Sequence, residues 1–195
     1  MSQTSPRAAR VPEDEARRRI LEAARALLLT RPFADLSVGA VMREAGLART
    51  VFWRHYPDLP QMAADLLPDA DAPLIDRITA IGDAPPAELV RAIVEGLVET
   101  YAAHGPLLQA IDDAARHDAA VAQHLDSALV GPRQLLARLV ADAPHPPPDP
   151  AETARLLMAT HRAYLLDTFG SGRPRRGARR HATEALLALW ERLLA

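Results

Sequence analysis

Residues 37–59 read Ser37-Val38-Gly39-Ala40-Val41-Met42-Arg43-Glu44-Ala45-Gly46-Leu47-Ala48-Arg49-Thr50-Val51-Phe52-Trp53-Arg54-His55-Tyr56-Pro57-Asp58-Leu59. Ser37 can cap a short helix that runs to Ala45 and is ended by Gly46. A second short helix is predicted from about Ala48 to Tyr56, closed by Pro57. Glycine at the join can take the left-handed conformation that swings the second helix across the first. Phe52 and Tyr56 stand at i and i+4 and can anchor the second helix to a core, which leaves Arg49, Thr50, Trp53, Arg54 and His55 facing outward. A helix held on one side, with arginines and hydrogen-bonding tips on the other, suits the major groove of DNA. Pattern alone leaves a second reading open: an ordinary helical hairpin whose polar face is solvated.

Upstream, Ile20, Leu21, Ala24, Leu27 and Leu28 fall on one helical face between Pro12 and Pro32. Downstream, helical pattern covers residues 59–67 and resumes at Leu74, Ile75, Ile78 and Ile81, with Pro68 and Pro73 kinking what lies between. Pro85 and Pro86 open a long central helix, 88 to about 104, followed by a short one over 107–115 and a longer one from 118 to about 141 that Gly131-Pro132 can bend. Asp149-Pro150-Ala151-Glu152 is a start signal with an N-cap acid, proline at N1 and glutamate at N3. The helix it opens should end at Gly170. A basic loop over 172–180 precedes a final helix carrying Ala182, Ala185, Leu186, Leu189, Trp190 and Leu193 on one face. No strand, repeat or heptad array is evident. The expected fold is all-α with about nine helices.

Composition narrows the chemistry. The 195 residues are 49% hydrophobic but only 4% aromatic, a balance that favours helix over strand. There is no cysteine, so disulfides, thiolate nucleophiles and cysteine-ligated zinc are excluded. All 23 basic residues are arginine, so neither a Walker lysine nor a Schiff-base lysine exists. This arginine-only, alanine-rich bias is that of a GC-rich bacterial genome. No apolar run approaches the roughly 20 residues of a membrane span, and residues 1–12 lack the apolar core of a signal peptide. The expectation is a cytoplasmic protein with no membrane partner. The net charge of -2 hides an asymmetry: residues 1–56 hold ten arginines against six acids, and residues 57–195 thirteen against nineteen. A basic head on an acidic body suggests a polyanionic partner for the head alone.

The order and spacing of Arg18-Arg19-Ile20-Leu21-Glu22-Ala23-Ala24, Leu36-Ser37-Val38, Ala45-Gly46-Leu47 and Val51-Phe52-Trp53-Arg54-His55-Tyr56-Pro57 resemble the DNA-binding domain of the TetR family over about residues 17–67. Arg31-Pro32-Phe33-Ala34-Asp35-Leu36-Ser37-Val38, Glu99-Thr100-Tyr101 and the Phe169 region look more particularly like the EthR-type branch. The resemblance implies a disordered arm (1–15), a three-helix helix-turn-helix head (16–58) and a helical ligand-binding and dimerisation body (59–195). It implies a homodimeric regulator, a repressor, that binds a palindromic double-stranded DNA operator and is released by a small apolar effector. Ser37, Arg43, Arg49, Thr50, Trp53, Arg54 and His55 would meet DNA. Against the family pattern, Met42 replaces a small residue, and Val51 and Leu59 replace a threonine and a lysine that approach phosphate, which predicts fewer phosphate contacts. A helical protein–protein module whose head no longer binds DNA is the alternative.

The body is expected to hold an effector cavity lined by Val90, Ile93, Leu97, Tyr101, Met158, His161, Phe169 and Trp190, positions that match the EthR-type pocket, with His161 or Tyr101 orienting the ligand. For His161 a satisfied core or interface histidine is equally open, and for the apolar face of the central helix periodicity alone favours plain core packing. Leu156, Leu157, Ala163, Tyr164, Leu186, Leu189 and Leu193 are expected to pair with their symmetry mates in a four-helix bundle. Residues 59–81 are the candidate link from cavity to head. Arg173, Arg175, Arg176, Arg179 and Arg180 make either a second nucleic-acid patch or a solvated loop, and Arg7 and Arg10 belong to an arm that either tracks the minor groove or does nothing. No metal site is expected: His117 and His124 lie two helical turns apart, roughly 10 Å, too far to share one ion. With five serines, no Gly-x-Ser-x-Gly turn and no phosphate loop, neither catalysis nor a cofactor is expected.

Overall fold

The computed structural model describes residues 12–31, 33–66 and 84–194. Among them are nine α-helices, no strand and one 3-10 turn, Phe33–Asp35. The helices are α1 (Glu13–Leu28), α2 (Val38–Glu44), α3 (Arg49–His55), α4 (Leu59–Ala64), α5 (Pro86–His117), α6 (Ala119–Ala128), α7 (Val130–Ala141), α8 (Pro150–Phe169) and α9 (Ala178–Leu194). The expected helical pattern over residues 67–81, the arm arginines Arg7 and Arg10, and Pro32 lie outside the described residues. α1 begins inside the stretch expected as arm, because Glu13, Asp14 and Glu15 place three negative charges at the positive end of the helix dipole.

Two apolar clusters share α5. The head cluster joins Ile20, Ala24 and Leu27 of α1 to Val41 and Met42 of α2, Phe52 of α3, Met62 of α4, and Leu107, Ile111 and Ala114 of α5. The body cluster joins Val90, Val94 and Val98 of α5 to Leu139 and Val140 of α7, Leu157 and Leu165 of α8, and Leu186 and Trp190 of α9. One helix therefore runs through both cores.

That continuity corrects the expected break near His104. A proline inside a helix costs about 3 kcal/mol or more through a lost hydrogen bond and a clash. Yet α5 carries Pro106 in its interior, with buried Val94 and Val98 before it and Leu107 and Ile111 after it. Breaking the helix would uncover one of the two faces, so packing outweighs the local penalty. Downstream the opposite correction applies. The single helix expected over 118–141 is two, divided at Leu129, so that Pro132 falls in the first turn of α7, where its missing N–H leaves no helical hydrogen bond unmade. Asp118 caps α6 through Oδ1, which accepts from the Ala120 amide at 2.9 Å. Asp149 caps α8 by accepting from the Glu152 amide at 2.9 Å, and α8 ends at Gly170 as the sequence predicts.

Candidate DNA-binding face and ligand cavity

The head is assembled by its turn. Ser37 Oγ accepts from the Ala40 amide at 3.2 Å and so caps α2. Gly46 takes φ +64, the left-handed conformation that the turn into α3 requires. Arg19 reaches over from α1 and donates to the Ala45 carbonyl at 2.5 Å, fixing the turn from outside. Phe52 is fully buried and Tyr56 nearly so, with their rings 5.6 Å apart. Burial pushes the Tyr56 hydroxyl up to about 12, so it stays neutral at physiological pH.

With Phe52 turned inward, Arg49, Thr50, Trp53 and Arg54 are exposed on α3, and His55 is half-buried beside them. Trp53 is 53% exposed although its ring lies edge-on to Phe52 at 5.2 Å, which holds the indole in place at the surface. Arg43 is exposed on α2, and Ser37 is exposed but occupied as a cap. Val51 and Leu59 pack partly against the head cluster, so their apolar side chains join the core.

The body contains a cavity of about 750 Å³ between α5, α6, α7, α8 and α9. Six of the expected lining residues meet there: Ile93, Leu97, Tyr101, Met158, His161 and Trp190. Val90 and Phe169 do not; both lie within the body core, where Phe169 packs against the bare backbone of Gly105. The sequence reading missed the wall made by Leu125 of α6, Leu129 between the helices and Leu136 of α7. Their periodicity signalled apolar faces, but nothing local says which face borders empty space.

Polar groups gather on part of the lining. Asp112 is almost fully buried and pairs with Arg116 of its own helix and with Arg162 of α8. Arg116 also lies 3.3 Å from Asp113. Sequence spacing signals only the pairs within α5, Asp112 and Asp113 with Arg116 at i,i+4 and i,i+3, and not the pair with Arg162. His161 lines the cavity, but both of its ring nitrogens are engaged. Nδ1 donates to the Leu157 carbonyl at 2.5 Å, and Nε2 accepts from the Trp190 indole N–H at 3.2 Å. Burial holds its pKa below the usual histidine value, which favours the neutral ring that this pattern needs.

The expected dimer residues separate into two groups. Leu156 is 53% exposed and Leu189 38%, Ala163 is exposed, and Tyr164 and Leu193 are half-buried. Leu157 and Leu186 are buried within the chain's own body core, so they are not available to a partner. Among the described residues no group of three or more metal-ligating side chains comes together. His124 instead donates from Nδ1 to the Ala120 carbonyl at 2.6 Å and meets Gln61 Oε1 at 2.7 Å, tying α6 to α4. No helix of the described residues is long and apolar enough to cross a membrane.

An all-α chain with a two-helix turn at one end and a hollow helical body at the other has the architecture of the TetR-type transcriptional regulators. Solved structures share it along nearly the whole chain. A putative transcriptional regulator from Pseudomonas aeruginosa PAO1 matches with a TM-score of 0.76 at 19% identity, over 96% of this chain and 94% of that one. A putative TetR-family regulator from Syntrophomonas wolfei matches at 0.74 and 15% identity, over 94% and 96%. A putative TetR-family regulator from a Rhodococcus species matches at 0.72 and 16% identity, over 93% and 100%. No protein-family model and no curated protein matches the sequence. The likeness establishes the fold.

Proposed function

We propose that the chain is a TetR-type transcriptional regulator, a repressor that binds a palindromic operator as a homodimer and is released when a small, largely apolar effector fills the body cavity. The observation that carries this reading is α3. Its Phe52 side is locked into the head, while Arg49, Thr50, Trp53 and Arg54 project together from the free side. That arrangement supplies two guanidinium forks for guanine edges or phosphates, plus a hydroxyl and an indole N–H.

The dimer follows from the operator geometry, since two heads meet successive major grooves about 34 Å apart. Leu156, Ala163, Leu189 and Leu193 supply an apolar strip on α8 and α9 for the partner. The cavity supports the effector reading, through Ile93, Leu97, Tyr101, Met158 and Trp190. Because His161 is saturated, the cavity's ionic groups, Asp112, Arg116 and Arg162, are its candidates for orienting a polar end of the ligand. α6 borders the cavity through Leu125 and holds α4 through His124 and Gln61, so it extends the proposed route from cavity to head. Near-complete switching of such a device requires about 5.5 kcal/mol of differential effector affinity between its two states. This reading gives the chain no catalytic step.

The test is binding of the full chain to DNA from upstream of its own gene, followed across a salt series. Dimeric, sequence-preferring and salt-dependent binding is expected. A helical protein–protein module would bind neither that DNA nor an unrelated fragment.

A further inference from the structure

The densest basic cluster in the sequence lies away from α3. Between Gly170 and Thr183 the chain carries Arg173, Arg175, Arg176, Arg179 and Arg180 and no acid. All five are exposed, and among the described residues only Arg180 has an acidic neighbour, Glu184 at 3.8 Å. Elsewhere residues 57–195 hold eight arginines against nineteen acids, so the rest of the body repels a polyanion.

The position of this connection is fixed by close packing. A Cβ on Gly172 would come within 2.9 Å of Pro106 Cγ, and one on Gly170 within 2.6 Å of Gln109 Oε1. From Leu107 onward the buried apolar residues of α5, Leu107, Ala110, Ile111 and Ala114, belong to the head cluster. The arginines therefore lie at the head-facing end of the body, at the level where α5 enters the head. In a dimer paired through α8 and α9, the two copies of this connection would meet near the two-fold axis, above the middle of the operator.

We propose that the arginine-rich connection between α8 and α9 is a second electrostatic contact for the phosphate backbone of double-stranded DNA, separate from the α3 face. The proposal rests on the DNA-binding reading above. Its chemistry favours DNA over an acidic protein. Interfaces between proteins are anchored by buried aromatic and aliphatic side chains, and residues 170–181 contain, besides arginine, only glycine, serine, proline, alanine and histidine. Phosphate contacts need charge and hydrogen-bond donors alone, and they add affinity without reading sequence.

The experiment compares the full chain with an Arg173→Ala/Arg175→Ala/Arg176→Ala variant, titrating the upstream fragment and an unrelated duplex across a salt series. Each lost phosphate contact removes about 0.9 from the slope of log K against log salt. The expected result is a slope reduced by about 2 or more per dimer, and binding at moderate salt weakened roughly tenfold or more on both DNAs alike. Lysine at the same three positions should keep most of the slope, because charge rather than guanidinium geometry acts there. Unchanged slope and affinity in the alanine variant, while the parent binds DNA, overturns this inference alone. If the parent shows no salt-dependent DNA binding, the inference and the DNA-binding reading fall together.

Discussion

The indole N–H of Trp190 on α9 donates to Nε2 of His161 on α8 across 3.2 Å of the body core, while the other ring nitrogen is held by the Leu157 carbonyl. The pair fixes one tautomer of one neutral imidazole. It also makes the packing of α9 on α8 sensitive to a proton, because an imidazolium has no lone pair for the indole to donate to.

Acid should therefore loosen the body. The native pKa of His161 is lowered by burial, so between that value and the unfolded value of about 6.5 the unfolded chain binds more protons. The contribution of His161 to stability is full above about pH 6.5 and is lost as pH falls toward and through the lowered native value. Urea midpoints of the parent and of His161→Gln, measured at neutral pH and at pH 5.5, check this. The gap between them should shrink in acid; a gap independent of pH would mean that the ring does not titrate in this window.

Gly105 should tolerate no side chain. A Cβ there would strike the carbonyl oxygen of Phe169, which is backbone and cannot swing aside. Alanine is the better helix former by about 1 kcal/mol, but forced overpacking costs about 1–3 kcal/mol. Gly105→Ala is expected to be net destabilising in chemical denaturation. A gain in stability would show that α5 and α8 stand further apart than this.

Local signals were legible wherever a single residue dictates the backbone. Ser37, Gly46, Pro57, Asp149 and Gly170 each mark a boundary that the structure places within a residue or so of its expected position. Pro106 misled because its penalty is local and the burial that overrides it is not. The α5 residues beyond Pro106 that decide the matter share a core with α1 to α4, far upstream in sequence. Asp112 and Arg162, fifty positions apart, were invisible as a pair for the same reason. Val90 and Phe169 have the right character for a cavity wall, yet whether an apolar face borders a neighbour or a void depends on the arrangement of all five surrounding helices.

Replacing Arg49 or Arg54 with alanine should cost about 1–3 kcal/mol of operator affinity for a residue that reads a base edge, with relaxed sequence preference at that base pair. A residue that meets phosphate would instead flatten the salt dependence and leave preference intact. Fluorescence anisotropy on the upstream fragment and on point-substituted duplexes separates the two. Full affinity in the double alanine variant would remove α3 as the reading element.

Dimerisation should yield to charge on the exposed strip. Leu156 and Leu189 are large apolar side chains left open by the chain's own packing, so Leu156→Glu with Leu189→Glu leaves the core untouched and puts four carboxylates into the proposed dimer interface. Light scattering is expected to show a dimer for the parent and a folded monomer for the variant. A dimer that survives both changes would be built on another face.

Filling the cavity from inside tests the receptor reading most directly. Leu97 lines the cavity and is only half-buried, so an indole at this position can extend into the roughly 750 Å³ of open space rather than into a neighbouring side chain. Leu97→Trp should therefore stay folded, at a cost below about 1.5 kcal/mol, whereas the same enlargement in a filled core would cost up to about 3 kcal/mol or more. With the volume occupied, an apolar fluorescent probe that binds the parent should bind the variant at least tenfold more weakly. Operator affinity should stay near that of the parent if the indole only blocks the site. If the indole mimics the effector, operator affinity should fall instead, because a filled cavity then favours the released state. Unfolding of the variant, with no probe bound by the parent, would mean that the interior is already full and that the body serves assembly rather than reception.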